Sequence, residues 1–277
     1  MKLLTLNAHS HAEESYPDKL RRLIEAIEVF SPDVIALQES SQTLTGHPVP
    51  TPQNFLQPEN VETPLSADNH ALMLAEGLRE LGLTYFGSWL PVKIGYGRLR
   101  EGIALLSRRP LRTARSLLLS REDNPADWRT RKALAVTLAE SDTVFCSVHL
   151  SRWDDPAEPF ADQWKRLHHA LSPSPGQVFL MGDFNAPAHI CGEGYTRVLT
   201  DGWHDTYALA RRKNDGSTVR HSIDGWRDGG GTGTMRIDYI FSRQKPSVVT
   251  SYTVLDGQSS PAVSDHCGIL TEIQSEV

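Results

Sequence analysis

The sequence predicts an α/β fold, on three observations. Short apolar runs that read as buried strands recur along the chain, as in Leu3-Leu4-Thr5-Leu6, Val34-Ile35-Ala36-Leu37 and Val178-Phe179-Leu180-Met181. Helical stretches with one apolar face lie between several of them, an alternation that by itself leans towards one parallel sheet. No linker-like, repetitive or low-complexity stretch divides the 277 residues, so 1–277 reads as one domain.

Composition bounds the function. With 39% hydrophobic and 22% charged residues the chain has the balance of an ordinary soluble protein. Its net charge of −6 lacks the basic footprint that binding to a phosphate backbone exploits, which counts against a nuclease without excluding one. Cys146, Cys191 and Cys267 are odd in number and show no Cys-x-x-Cys spacing. They predict neither a disulfide framework nor a cysteine zinc site, and a reducing cytoplasm fits best. The apolar run at residues 3–6 is too short for a signal or membrane helix, so no membrane segment is expected and the mature chain is expected to start at Met1.

Taken in order, residues 3–6 form a strand with Asn7 at its carboxyl end. Leu20, Leu23, Ile24, Ile27 and Phe30 then recur at helical spacing and share one face. A second strand at 34–37 is followed by Gln38 and Glu39. If the two strands are parallel neighbours, Asn7 and Glu39 stand at adjacent strand ends, and Glu39 is a metal ligand or a solvated loop carboxylate. Residues 42–66 carry Pro48, Pro50, Pro52, Pro58 and Pro64, a density that excludes regular structure and predicts an ordered surface loop or a lid. Leu72, Ala75, Leu78 and Leu81 restore a helical face, and 85–89 reads as a strand. Gly95, Gly97 and Gly102 imply close backbone approach around Tyr96, with Glu101 just ahead of a strand at 103–106. Arg129, Arg131 and Lys132 precede the strand 133–138, as a phosphate-holding cluster or a solvated face.

A further strand at 143–148 ends at His149, a catalytic or a structural histidine. The polar loop 151–155 carries Trp153, a substrate-stacking wall or a half-buried anchor. Phe160, Trp164, Leu167 and Leu171 mark a helix leading back to the apolar run 178–181, which closes at Gly182. Asp183 and Asn185 are thereby left at the carboxyl end of a buried strand, where open α/β sheets build their sites. A carboxylate there can take a proton and an amide can hold an oxyanion, although both types also bond their own backbone in turns. After a helical patch at 195–199 the chain becomes glycine-rich at Gly229, Gly230, Gly231 and Gly233. Residues 236–241 alternate with period two, Ile237, Tyr239 and Phe241 on one face and Asp238 on the other. Ser264, Asp265 and His266 precede the last strand, 267–273.

The polar residues at strand ends fall in ordered blocks: Leu-Thr-Leu-Asn7, Ala-Leu-Gln-Glu39, Glu101-Gly-Ile-Ala, Ser-Val-His149-Leu, Gly-Asp183-Phe-Asn185, Arg-Ile-Asp238-Tyr-Ile and Ser-Asp265-His266. In these blocks and in their order, over nearly the whole chain, the sequence resembles the endonuclease/exonuclease/phosphatase superfamily of nucleases, inositol-polyphosphate phosphatases, sphingomyelinases and sugar-phosphate phosphatases. The stretches 68–72, 95–96, 149–154 and 223–226 are similar to a bacterial branch near the maltose-6-phosphate phosphatases.

The resemblance implies a four-layer α/β sandwich with two mostly antiparallel central sheets, in place of a single parallel sheet. It also implies a divalent cofactor, Mg²⁺ or Mn²⁺. The negative oxygens of a phosphate ester repel a nucleophile, so its hydrolysis needs a cation on those oxygens, a base for water and a stabiliser for the leaving oxygen. In the roles the resemblance implies, Glu39 binds metal with Asn7 and Asp265 close by, Asp183 deprotonates water, and Asn185 holds that water or a phosphoryl oxygen. His149 and His266 contact the phosphate, held by Glu101 and Asp238 respectively. The acidic balance favours a small phosphorylated substrate, which makes the expected enzyme a sugar-phosphate phosphatase. Tyr96 and Trp153 would wall its leaving group, Arg131 would bind it, and the loop 42–66 would close over it. A DNA endonuclease or exonuclease shares every block but wants a cationic groove, for which Arg108, Arg109, Arg112, Arg115 and the 129–132 cluster are the available residues. A sphingomyelinase-like phosphodiesterase and a non-catalytic binding module are further readings. No block residue is lost, as a non-catalytic module would allow, and no protein partner is implied.

Overall fold

In the first strand, β1 (Lys2–Asn7), Leu4 and Leu6 belong to one apolar cluster and Leu3 to another on the opposite side. A strand that is apolar on both faces must be covered on both. The structure is a computed structural model and describes residues 1–221, 223, 226 and 234–274. Asp224 and Gly225 of the 223–226 stretch, and Gly229, Gly230, Gly231 and Gly233 of the glycine-rich run, lie outside the described residues.

After β1 come α1 (Tyr16–Phe30), β2 (Val34–Gln38), β3 (Gln42–Thr43), α2 (His70–Glu80), β4 (Phe86–Gly95) and β5 (Leu99–Ser107). The second half adds β6 (Leu111–Leu118), β7 (Lys132–Leu138), β8 (Val144–His149), α3 (Phe160–Leu171) and β9 (Val178–Asp183). It continues with α4 (Gly194–Thr200), β10 (His204–Asp205), α5 (Thr206–Leu209), β11 (Arg212–Lys213), β12 (Asp238–Ser242), β13 (Val248–Val254) and β14 (Gly268–Ile273). An 8-stranded sheet runs β11-β13-β14-β1-β2-β5-β3, with β4 also on β5, and a 6-stranded sheet runs β10-β12-β9-β8-β7-β6.

The pairs β1–β2, β8–β9 and β11–β13 are parallel, and the other ladders among the described residues are antiparallel. The single parallel sheet suggested by the alternation is therefore not formed. Within the central region only α1 and α3 act as crossover helices that bring neighbouring strands into parallel; short connections such as that between β4 and β5 enforce antiparallel pairing. Leu20, Leu23 and Ile27 of α1 and Leu74 and Leu78 of α2 cover the outer face of the larger sheet. Phe160, Trp164 and Leu167 of α3 cover the outer face of the smaller one. Between the sheets lie Leu3, Val34, Ala36, Leu105, Phe145, Phe179, Met181 and Ile240. The result is the four-layer sandwich.

The proline-rich loop is ordered and seated on this frame. Phe55 and Leu65 are buried with Trp89 in the outer cluster, Leu56 N–H donates to Gly87 O at 2.8 Å, and Pro48 bridges Ser66. That anchoring commits the loop to the flank of the larger sheet rather than to a lid. Among the described residues no helix is long and apolar enough to cross a membrane.

Candidate active site

The alternation that builds the core also builds the site. Residues of one parity face the opposite sheet: Leu3, Thr5 and Asn7 on β1, Val34, Ala36 and Gln38 on β2, Leu105, Ile103 and Glu101 on β5. In the smaller sheet the same parity holds Phe145, Ser147 and His149 on β8, Phe179, Met181 and Asp183 on β9, and Ile240 and Asp238 on β12. The inter-sheet core is apolar through its middle and polar at this end, where the sheets open into a cleft of about 360 Å³. Register does the rest: Asn7 pairs with Gln38, and Asp183 is flanked by His149 on one side and Asp238 on the other.

The strand ends turn sharply to present their side chains. His9, Glu39, Tyr96 and Asn185 line the cleft and all have left-handed backbone, with φ of 48°, 49°, 51° and 47°. Non-glycine residues seldom adopt this conformation, and it persists where surrounding contacts hold it. Ser10 Oγ donates to Glu39 O at 2.6 Å and accepts from Ser41 N at 3.1 Å; Asn185 N donates to Asp183 Oδ1 at 2.8 Å. Gly182 is required by close approach, since a Cβ there would lie 2.0 Å from Val148 O and 3.0 Å from the Gln38 side chain.

Hydrogen bonds join the groups across the two sheets. Asn7 Nδ2 donates to Glu39 Oε1 at 3.0 Å and to Asp183 Oδ2 at 3.2 Å. Asp183 Oδ2 also lies 3.6 Å from His149 Nε2 and 3.9 Å from His266 Nε2, while His266 Nδ1 is 3.0 Å from Asp238 Oδ2. The loop carrying His266 is tied to β1 by Ser264 Oγ, which donates to Asn7 O at 2.7 Å. On the far side, Asn185 Nδ2 donates to Leu150 O at 2.9 Å and approaches His149 Nε2 at 3.2 Å. Trp226 Nε1 donates to Asn185 Oδ1 at 3.0 Å.

Burial sets the protonation states. The Asp183 carboxyl is pushed up to about 7 by burial and by the Asp238 charge, and Glu39 is raised by burial and by Glu101. Burial opposes the charge on His266, but the Asp238 carboxylate and its hydrogen bond outweigh it and raise the imidazole to about 10. His149 is held well below its usual value by burial and by the positive charges of Arg131, Lys93 and His266, so it is neutral. His9 rises to about 9 despite burial, through its hydrogen bond to Glu13 and the charges of Asp265 and Glu39.

Two clusters offer ligand atoms within 4.8 Å of one another here: Glu39, Glu101 and His149, and Asp183, Asp238 and His266. The carboxylates of Glu39, Glu101 and Asp183, with the Asn7 amide bridging Glu39 and Asp183, form an oxygen-rich donor set, which fits a hard divalent cation. Asp265 stands slightly apart, grouped with His9 and Glu13.

Most of the sequence-predicted site residues converge, with three corrections. Glu101 is the third residue of β5 rather than a residue ahead of it; it pairs with Lys93 Nζ at 3.1 Å while a carboxylate oxygen stays within 4.8 Å of a His149 ring nitrogen. Lys93 reaches it because a bulge between Pro91 and Lys93 shifts the alternation of β4 and sets Lys93 directly opposite Glu101. Trp153 does not line the cleft; it packs on Phe160 at 6.1 Å between ring centroids, where an apolar helix face offers it burial. The aromatic walls are Trp128, Trp226 and Tyr96 instead, with Tyr96 OH 2.8 Å from His9 Nε2. The loop 42–66 contributes nothing to the lining. Arg131 is buried in the cleft wall, while Arg129 faces Asp155 at 3.4 Å and Lys132 faces Asp123 at 2.8 Å. Lys93, His9 and Trp128 escape sequence reasoning; only His9, two residues past the end of β1, carries a positional signal.

The sequence matches the Endonuclease/Exonuclease/phosphatase family over residues 4–266. A sequence comparison with curated proteins finds no match. Among solved structures, an endonuclease/exonuclease/phosphatase family protein from Leptotrichia buccalis is similar at 28% identity and a TM-score of 0.84, covering 99% of this chain and 100% of that one. A mannosyl-6-phosphatase from Bacteroides thetaiotaomicron matches at 14% identity and a TM-score of 0.65, over 99% and 100% of the two chains. A 3'-5' exonuclease from Neisseria meningitidis matches at 18% identity and a TM-score of 0.64, again over 99% and 100%. The last two likenesses speak for the fold alone.

Proposed function

Since the chain belongs to the Endonuclease/Exonuclease/phosphatase family, whose members are hydrolases of phosphate esters, we propose that it is a divalent-metal-dependent phosphatase of a small phosphorylated molecule, a sugar phosphate by preference. The observation that carries the substrate class is where the cations lie. Lys93, Arg131 and Arg152 line the cleft, whereas Arg108, Arg109 and Arg112 sit at the opposite end of the sandwich, beside the start of β2. There Arg108 bonds Ser31, Arg109 bonds Ala139 and Arg112 pairs with Asp142. These residues cannot form a track leading a nucleic-acid strand to the site, and a single phosphoryl group needs none.

The cation, Mg²⁺ or Mn²⁺, would be held at Glu39 with Asn7 and Asp265 beside it; when bound it neutralises phosphoryl charge. Asp183, poised near neutrality by burial, takes the proton of the attacking water. Asn185 orients that water or a phosphoryl oxygen. His266, kept cationic by Asp238, and Arg131 face the charge that develops on the phosphoryl oxygens, and neutral His149 contributes hydrogen bonds without adding charge. Trp128, Trp226 and Tyr96 close around the leaving group.

The test is a panel of hexose phosphates, nucleotides, inositol phosphates, sphingomyelin and abasic duplex DNA with Mg²⁺. Hydrolysis of a sugar phosphate with a shallow salt dependence is expected. Efficient nicking of duplex that collapses between ~50 and ~200 mM salt would instead identify a nuclease with the same catalytic groups.

A further inference from the structure

We propose that Trp226 is a positioning residue: its indole locks the amide of Asn185 and thereby keeps the His149 proton on Nδ1. The inference rests on the phosphoesterase reading of this cleft. An indole N–H can only donate and a backbone carbonyl can only accept. Trp226 Nε1 lies 3.0 Å from Asn185 Oδ1, and Leu150 O lies 2.9 Å from Asn185 Nδ2. The two contacts together admit one orientation of the amide. In that orientation Nδ2 faces His149 Nε2 at 3.2 Å, so Nε2 must accept and the imidazole proton must be on Nδ1, on the side of Glu39, 3.9 Å away.

The indole is itself held for this task. It packs against a small cluster of Val219, Ile223, Met235 and Ile237, separate from the three large cores, and the Arg152 guanidinium lies 5.6 Å from its ring centroid. Asn185 enters the site from a left-handed backbone and has no helix or sheet partner to restrain its side chain. Without the Trp226 N–H, Oδ1 loses its donor and the amide is held through Nδ2 alone, by Leu150 O and His149 Nε2, so that rotation away from His149 is less opposed.

Two measurements decide the matter. In the wild type, ¹H–¹⁵N spectra of the histidine rings should show His149 neutral and protonated on Nδ1; a proton on Nε2 would overturn the proposal outright, with no variant needed. Trp226→Phe keeps the ring and removes the N–H. Hydrolysis of p-nitrophenyl phosphate with Mg²⁺ should then lose about tenfold in kcat, the worth of one hydrogen bond, with KM unchanged. The His149 signal should become a mixture of tautomers. A folded Trp226→Phe protein with wild-type kcat and a single His149 tautomer would refute the positioning role. If the wild type cleaves no phosphate ester the proposed function fails, while the ring spectra still judge this inference separately.

Discussion

Asp238 opens β12 of the smaller sheet, His266 lies just ahead of β14 of the larger one, and the two meet with 3.0 Å between Oδ2 and Nδ1 in a buried pair. The ion pair is both a clasp between the layers and the source of the one strongly stabilised imidazolium beside Asp183.

Asp238→Asn should therefore cost more than a contact. The imidazole then loses the charge that outweighs its burial, and kcat at pH 8 is expected to fall on the order of 10²-fold. Because the folded pKa of His266, about 10, lies above the usual 6.5, the pair's stabilisation is fully present below pH 6.5 and is lost as pH rises towards 10. Melting temperatures across that window should decline in the wild type and flatten in the variant; equal slopes would rule the pair out.

Asp183 should show the opposite trade. Its folded pKa, about 7, lies above the ordinary 3.8, so its contribution to stability falls as pH rises from 3.8 to 7. Asp183→Asn removes a buried repulsion, and in EDTA at pH 8 it should melt a few degrees higher than the wild type while being inactive. A lower melting temperature would show that the carboxylate is compensated without a cation.

Metal dependence has a thermodynamic as well as a kinetic signature. Chelation should abolish turnover, and Mg²⁺ or Mn²⁺ should restore it and raise the melting temperature by mass action. Glu39→Gln should retain the fold but require a higher Mg²⁺ concentration for half-saturation. Full turnover in excess chelator would end the metal proposal.

Lys93 and Glu101 test whether the bulge in β4 is structural. Lys93→Met leaves the buried carboxylate without its partner and should cost about 3 kcal/mol in urea unfolding, whereas Lys93→Met with Glu101→Met, which removes both charges, should recover most of the loss. A double variant no more stable than the single one would show that the ion pair is not what holds the hairpin.

Much of the site is legible because the face a residue takes is set by its own strand. Asn7, Asp183 and Asp238 are recognisable as polar residues at the ends of apolar runs, and their parity with Leu3, Met181 and Ile240 already places them on one side of the pleat. The Gly-Asp-x-Asn run is equally local, since Gly182 admits the close approach of Val148 O that brings β8 and β9 together. The second half of β4 is not legible, because Pro91 and an extra residue interrupt the period that would reveal it.

What the sequence by itself determines is thus most of the central strands and the helices α1 to α4, but not β6, β13 or the short strands, together with the polar residues at the strand ends and, through their order, the family. Long-range pairing decided the rest. Two sheets rather than one follow from which strands meet, a matter of tertiary packing that alternation cannot encode. Lys93 faces the cleft only because β4 bulges against β5, and Trp226 meets Asn185 across a separation of 41 residues in sequence. Trp153 turned away from the cleft because the apolar face of α3 at Phe160 buries it better than an open cleft would. In each case the deciding free energy comes from surface contributed by residues remote in sequence, which no local pattern carries.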